Sequence, residues 1–280
     1  GVLLNIDSDH LDYFKDIDHI VKSFKEFVSN IPKKGIIIAY GENPFVKEAL
    51  RGLNNVITYG YTDSNDFYAE NISFDDSGFP EYDICHEGKI LCHLHLGVPG
   101  EHNVLNSMAA YVTARYLGVS DDVIAGTLKS FKGTHRRFDF TGVTKNGVKI
   151  VDDYAHHPTE IKATLSAASK VKHNKLRVIF QPHTYTRTKA LFEEFVESFD
   201  HVDSLIITDI YAAREKDVYG VSSYQLVNAI KAEYPDREVY YVQDFEDIVK
   251  YLSANAEKDD IVMTMGAGDV YKIGQMMLKA

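Results

Sequence analysis

Cysteine and positive charge are both scarce in this sequence, and each scarcity removes a class of function. Only Cys85 and Cys92 occur in 280 residues. That is too few for a disulfide framework and suggests a reducing, cytoplasmic setting. The 30 lysines and arginines face 41 acids, a formal net charge of −11, and the basic residues are scattered rather than gathered in a patch. Neither nucleic acid nor an anionic membrane is therefore expected as the main partner. A nucleotide needs only a local pocket and stays open. No apolar run approaches the length of a membrane span, and no secretory signal is visible. The chain starts at Gly1 and enters the apolar "GVLLNI" at once, which reads as a first strand inside a longer polypeptide.

What is present is ordinary globular composition, 45% hydrophobic and 25% charged, with length for two domains at ~100–200 residues each. The opening strand leads through the polar "DSDHLDYFKD" to a helix in which Ile17, Ile20, Val21, Phe24, Phe27 and Val28 recur at helical spacing. "GIIIAY", a helix over 45–52 and "NVITYG" continue a βαβ rhythm, which implies a parallel sheet. Residues 67–98 alternate instead, with "DDSGFP" and "HEGK" as hairpin turns. Helices follow over 102–117 and 120–131, the second with Ser120 at its N-cap. After "GTHRRFD" a second alternation begins. Strands fall at 148–151, 176–180, 204–208, 238–242 and 260–265; helices fall at 159–170, 188–199, 222–233, 245–254 and from 269. The expected fold is α/β in two domains, residues 1–137 and 138–280, with the boundary near 134–140.

Several junctions carry chemistry-bearing residues. "NIDSDHLD" follows the first strand and offers Asp7, Asp9, His10 and Asp12 to a divalent cation, or simply forms a capped loop. "PGEHNVLNSMAA" puts His102, Asn103 and Asn106 in the first turns of a helix. Asn103 and Asn106 share a face, and an Asn amide can both donate to and accept from an adenine edge; N-capping is the plainer alternative. Arg136 and Arg137 in "RRF" could hold phosphates or tie the domains together. "VDDYAHHPTE" gathers Asp152, Asp153, Tyr154, His156 and His157 where a strand meets a helix. "FQPHTYTRT" brings His183, Tyr185 and Arg187 to a strand end, where a guanidinium suits a bidentate grip on a carboxylate or phosphate, or a salt bridge to a neighbouring acid. "GAGD" permits a tight turn, with Asp269 expected to cap the last helix. Cys85, His86, Cys92, His93 and His95 are zinc-type ligands, but their spacing matches no C-x₂-C pattern, and His93 and His95 face away from Cys92 and Leu94 on a strand. A plain hairpin is expected there.

Taken in order, these six junction motifs resemble the Mur ligase family over nearly the whole chain, and "FQPHTYTRT" is similar to its alanine-adding branch. The resemblance implies a partial central ATP-binding domain with a parallel sheet and antiparallel hairpins, followed by a Rossmann-like C-terminal domain. A UDP-binding domain would lie upstream. It implies an ATP- and Mg²⁺-dependent ligase joining L-alanine to UDP-N-acetylmuramate through an acyl phosphate, in peptidoglycan synthesis. At matching positions it implies nucleotide contacts from His102, Asn103, Asn106, Arg137 and Asp153, and a metal contact from His10. Tyr154, His156 and Arg187 would serve the reacting end, with rotation of the second domain closing its residues over the ATP site. No G-x-x-x-x-G-K-[ST] phosphate loop occurs. Sister ligases carry a carbamylated lysine in the helix after "DHLD"; Phe24 stands near that position, between Lys22 and Lys25, so none is expected here. Three other readings stay open. One is the tripeptide-recycling branch of the same family. Another is a nucleotide-binding or interaction module without catalysis. The third is a metal-dependent hydrolase built on Asp152, Asp153, His156 and His157.

Overall fold

The computed structural model describes residues 1–10 and 13–280, and the chain divides into two units, Gly1–Lys132 and Gly133–Ala280. The "RRF" segment packs with the second unit, where the Arg136 Nε donates to Asp152 at 2.9 Å.

The first unit runs β1 (Val2–Leu3), α1 (Ile17–Ser29), β2 (Ile37–Tyr40), α2 (Pro44–Ala49), β3 (Val56–Gly60), β4 (Phe67–Phe74), β5 (Pro80–His86), β6 (Lys89–His95), α3 (His102–Tyr116) and α4 (Asp121–Ser130). Its six strands lie side by side in chain order; β1 to β4 are parallel, and β4, β5 and β6 antiparallel. Asp16 starts α1 by accepting from His19 N–H at 2.8 Å, and Asn43 starts α2 by accepting from Phe45 and Val46, both at 3.0 Å. Ser120 stands at the N-cap of α4 without a side-chain bond; the adjacent Asp121 instead accepts from Tyr111 Oη and Arg115. The β5–β6 hairpin turns through Glu87 (φ 49°) and Gly88 (φ 73°), the two left-handed residues of a type I′ turn. Leu94 is fully buried on β6 while the His93 side chain is 58% exposed, the alternation its sequence implies. One apolar cluster joins α1 and α2 to β1 and β2, and another joins α3 and α4 to the hairpin strands.

The second unit runs β7 (Asp139–Val143), β8 (Lys149–Asp153), α5 (Pro158–Lys170), β9 (Leu176–Phe180), α6 (Tyr185–Ala190), α7 (Phe192–Val196), β10 (Ser204–Ile207), α8 (Ser223–Glu233), β11 (Glu238–Tyr241), α9 (Phe245–Asn255), β12 (Ile261–Met265) and α10 (Tyr271–Lys279). The sheet order is β11-β10-β9-β12-β8-β7, parallel except for β7. After β8 the chain steps outward to β11, then returns to insert β12 between β8 and β9. The outward helices α5, α7 and α8 cover one face, and α9 and α10 cover the other. An open sheet of this kind receives ligands at the carboxyl ends of its strands. Here those ends carry 154–157, 181–183, 208–211 and 266–269.

Four expectations need correction. The opening strand is two residues long rather than six. The edge strand β7 was not foreseen, because Phe140 and Val143 are more than half exposed and Gly142 interrupts the alternation. The helix expected over 188–199 starts at Tyr185 and breaks at Leu191 (φ −112°, ψ 27°), which is turned into the core with no glycine or proline to announce it. Asp269 does not cap the last helix: the N-cap is Val270, and Asp269 pairs with Lys272 at 2.9 Å.

Candidate active site

Arg136 and Arg137 are adjacent in sequence and opposite in role. The Arg136 guanidinium donates to Asp152 at 2.9 Å and to the carbonyls of Gly266 at 2.6 Å and Gly268 at 3.3 Å. It lies between the rings of Tyr154 and Tyr271, 4.9 and 4.8 Å from their centroids. A guanidinium so fully engaged is a tie within the unit. Arg137 is half exposed, 5.4 Å from the Tyr154 centroid and 3.4 Å from Glu160, and is the arginine that can reach a ligand.

Asp153 is only 4% exposed. Its carboxylate accepts from Phe138 N–H and Ala155 N–H, both at 2.7 Å. Burial pushes this carboxyl up to about 6 against the pull of those two bonds. It braces the "RRF" turn against the end of β8.

His156, Tyr154, His183 and Arg187 do come together. The His156 ring meets those of Tyr154 and His183 edge-on, with centroids 5.3 and 5.6 Å apart. Its Nδ1 lies 2.9 Å from the Tyr154 carbonyl, and its backbone N–H donates to Glu160 at 3.0 Å. Arg187 Nη1 lies 3.2 Å from His183 Nδ1. Burial first, then the nearby His156 and Arg187, pushes the His183 imidazole down to about 4. A neutral ring can accept at Nδ1, so the contact is a hydrogen bond that holds the guanidinium fork. His183 stacks on Tyr211 with the planes 15° apart. The "GAGD" turn closes against the same group: Gly266 has φ 144° and a Cβ there would lie 2.6 Å from Gln181 O, while one on Gly268 would lie 2.7 Å from the Tyr211 ring. Tyr211 and Glu215 were missed in the sequence, because "DIYAARE" carries no spacing that marks a site.

The four hydrolase candidates do not converge. Asp152 holds Arg136 and Thr264 Oγ1, Asp153 is braced as above, and His157 caps α5 by accepting from Thr159 N–H at 3.3 Å, with Glu160 completing the capping box. Among the described residues no group of three His, Cys, Asp or Glu side chains is arranged to hold a metal ion. On the β5–β6 hairpin, His93 faces Asp83 at 2.8 Å and Glu81 at 3.5 Å.

On the first unit, neither asparagine caps α3, whose N-cap is Glu101. Asn103 Nδ2 donates to Pro99 O at 2.7 Å, and Asn106 Nδ2 donates to Asn103 Oδ1 at 3.1 Å. The half-buried Asn103 thus orients the exposed Asn106, with His102 exposed beside them. His10 stands in the loop after β1 at φ 54°, its side chain 69% exposed and its Nε2 3.7 Å from Asp9. Asp12 lies outside the described residues.

Two domain descriptions fit this chain in register: the Mur ligase middle domain over residues 1–114, and the Mur ligase glutamate ligase domain over 136–268. The chain belongs to the Mur ligase family. This Mur ligase chain is 52% identical, over 99% of its length, to UDP-N-acetylmuramate–L-alanine ligase of Alkaliphilus metalliredigens, and 50% identical to that of Clostridium acetobutylicum. It spans about 60% of the length of each of these relatives. The fold matches that of UDP-N-acetylmuramate–alanine ligase from Thermotoga maritima with a TM-score of 0.80 at 23% identity, over 99% of this chain and 58% of that one. It also matches the MurF ligase of the same organism in complex with ADP, with a TM-score of 0.75 at 20% identity, over 99% and 61% of the two chains. Among the described residues no helix is long and apolar enough to cross a membrane.

Proposed function

We propose that this chain is the base-binding and amino-acid-binding part of an ATP-dependent ligase that adds L-alanine to UDP-N-acetylmuramate. The observation that carries the reading is the Arg187 fork, held by neutral His183 at the carboxyl edge of the second sheet, where an amino-acid carboxylate can be gripped through two parallel bonds. The names of relatives about half identical to the chain support the alanine branch over the tripeptide-recycling one.

In this reading the lactyl carboxylate of the sugar nucleotide attacks the γ-phosphorus of ATP, giving an acyl phosphate and ADP. The amine of L-alanine then attacks the acyl carbon, and inorganic phosphate leaves from the tetrahedral intermediate. Positioning and charge neutralisation supply most of the catalysis in such transfers. Asn106, oriented by Asn103, offers a carbonyl oxygen and an amide hydrogen to the adenine edge, with His102 beside it. Arg137 meets phosphate or carboxylate charge, Arg187 grips alanine, and Tyr154 and His156 border the reacting end. His10, with Asp9 beside it, offers one or two donors. That suits Mg²⁺, which keeps several waters and takes its other ligands from substrate phosphates; bound there it would neutralise phosphate charge. ATP and a sugar nucleotide as substrates fit a cytoplasmic protein.

The test is ADP release by the full-length protein with ATP, Mg²⁺, UDP-N-acetylmuramate and L-alanine. ADP release should require both acceptor and amino acid. Arg187→Lys, which keeps the charge and loses the planar fork, should raise the KM for L-alanine about tenfold or more. ADP release supported by the tripeptide in place of L-alanine would move the protein to the recycling branch. Wild-type alanine kinetics in Arg187→Lys would remove the clamp.

A further inference from the structure

We propose that Tyr211 and Glu215 are positioning residues for the Arg187 clamp, setting its guanidinium through the turn on which α6 stands; this rests on the ligase reading above. The turn is strained. Thr184 lies at φ 64°, ψ 144°, a region costly for a β-branched residue and kept only where the surroundings over-determine it. Tyr211 supplies that constraint from a different part of the chain. Its N–H donates to Pro182 O at 2.8 Å, and its carbonyl accepts from Thr184 N–H at 2.9 Å. Its ring stacks on His183, the residue that holds Arg187 Nη1. Glu215 fixes the other side of the turn: one carboxylate oxygen accepts from Thr186 N–H at 3.0 Å and the other from the Thr186 hydroxyl. Thr186 immediately precedes Arg187. The 211–215 segment therefore holds the strained Thr184 and the residues on both sides of it, Pro182 and Thr184 through Tyr211 and Thr186 through Glu215.

A bidentate carboxylate grip depends on the orientation of the fork as well as on its charge. Loosening this turn should weaken amino-acid binding while leaving nucleotide binding, which the ligase reading assigns to α3, unaffected. In the full-length protein, Glu215→Ala should raise the KM for L-alanine about tenfold, with the KM for ATP within twofold of the parent. Glu215→Gln should recover most of the loss, since its carbonyl oxygen still accepts from Thr186 N–H and its amide can donate to the hydroxyl oxygen. The 280-residue chain gives a second readout that needs no substrate. In ¹H–¹⁵N spectra of the histidine rings, the His183 Nδ1 signal should shift in Glu215→Ala and return in Glu215→Gln. An unchanged alanine KM or an unmoved His183 signal would overturn the proposal. So would equal rises in the ATP and alanine KM accompanied by a fall in Tm, which describe a generally destabilised protein. Should the parent show no alanine-dependent ADP release, the ligase reading falls, and the His183 signal still decides whether Glu215 positions the clamp.

Discussion

Asp153 is the side chain whose surroundings say most about pH. Its carboxyl is pushed from an ordinary value of 3.8 up to about 6, chiefly by burial. A raised folded-state value means that between about 4 and 6 the folded state holds more proton than the unfolded one, so stability rises as the pH falls through that window. Asp153→Asn carries no such proton. The stability of the parent relative to this variant should therefore improve, by on the order of 3 kcal/mol from above pH 6 to below pH 4. Urea unfolding of both at a series of pH values measures the gap, and a gap independent of pH would show that Asp153 titrates alike in both states. The asparagine pair is read in the same way. In the ligase reading the exposed Asn106 meets the adenine and Asn103, which accepts from its amide at 3.1 Å, aims it, so Asn103→Ala and Asn106→Ala should each raise the ATP KM by ~10-fold, the equivalent of one bond worth ~1.4 kcal/mol. The double variant should be little worse than either single one, because removing the orienting partner already removes the bond. Additive losses in ATP titrations would separate the two roles.

Among the elements, the short turn "GAG" after β12 is where the site has least room. A Cβ on Gly268 would lie 2.7 Å from the Tyr211 ring and 2.4 Å from Gln181 Oε1. Gly268→Ala must therefore displace the ring that stacks on His183. The expected result is a loss of ~1–3 kcal/mol in unfolding free energy from overpacking, together with a raised alanine KM; Gly220→Ala, where nothing lies within 4 Å but φ is 66°, is the comparison for backbone strain alone. A wild-type Tm and KM in Gly268→Ala would mean that the turn yields freely. Most elements were legible in the sequence because period and punctuation agree: "LRVIF" is a fully buried strand at 176–180, and the helix expected over 159–170 is found at Pro158–Lys170. The site was legible only as far as strand ends carry unusual residues. Nothing local distinguishes Arg136 from Arg137, since their partners Gly266 and Glu160 lie 130 and 23 residues away. Tyr211 and Glu215 were invisible for the same reason: they act on a turn formed by another strand.

At the scale of the whole molecule, each unit closes two apolar clusters of its own, which gives the 280-residue chain the means to fold. Ligation is a different matter. No G-x-x-x-x-G-K-[ST] occurs in these residues, so they hold no such cradle of backbone N–H groups and lysine for the β- and γ-phosphates. The chain also spans only about 60% of the curated relatives, and binding energy from the remote parts of a sugar nucleotide is what helps to hold its reacting carboxylate in place. The 280 residues alone should therefore give cooperative unfolding and dispersed NMR spectra, yet release no ADP when supplied with ATP, Mg²⁺, UDP-N-acetylmuramate and L-alanine. The full-length protein, assayed beside them at equal concentration, should turn over. Alanine-dependent ADP release by the 280-residue chain itself would mean that the phosphates are held by residues already present, and the half-exposed Arg137 would be the first place to look.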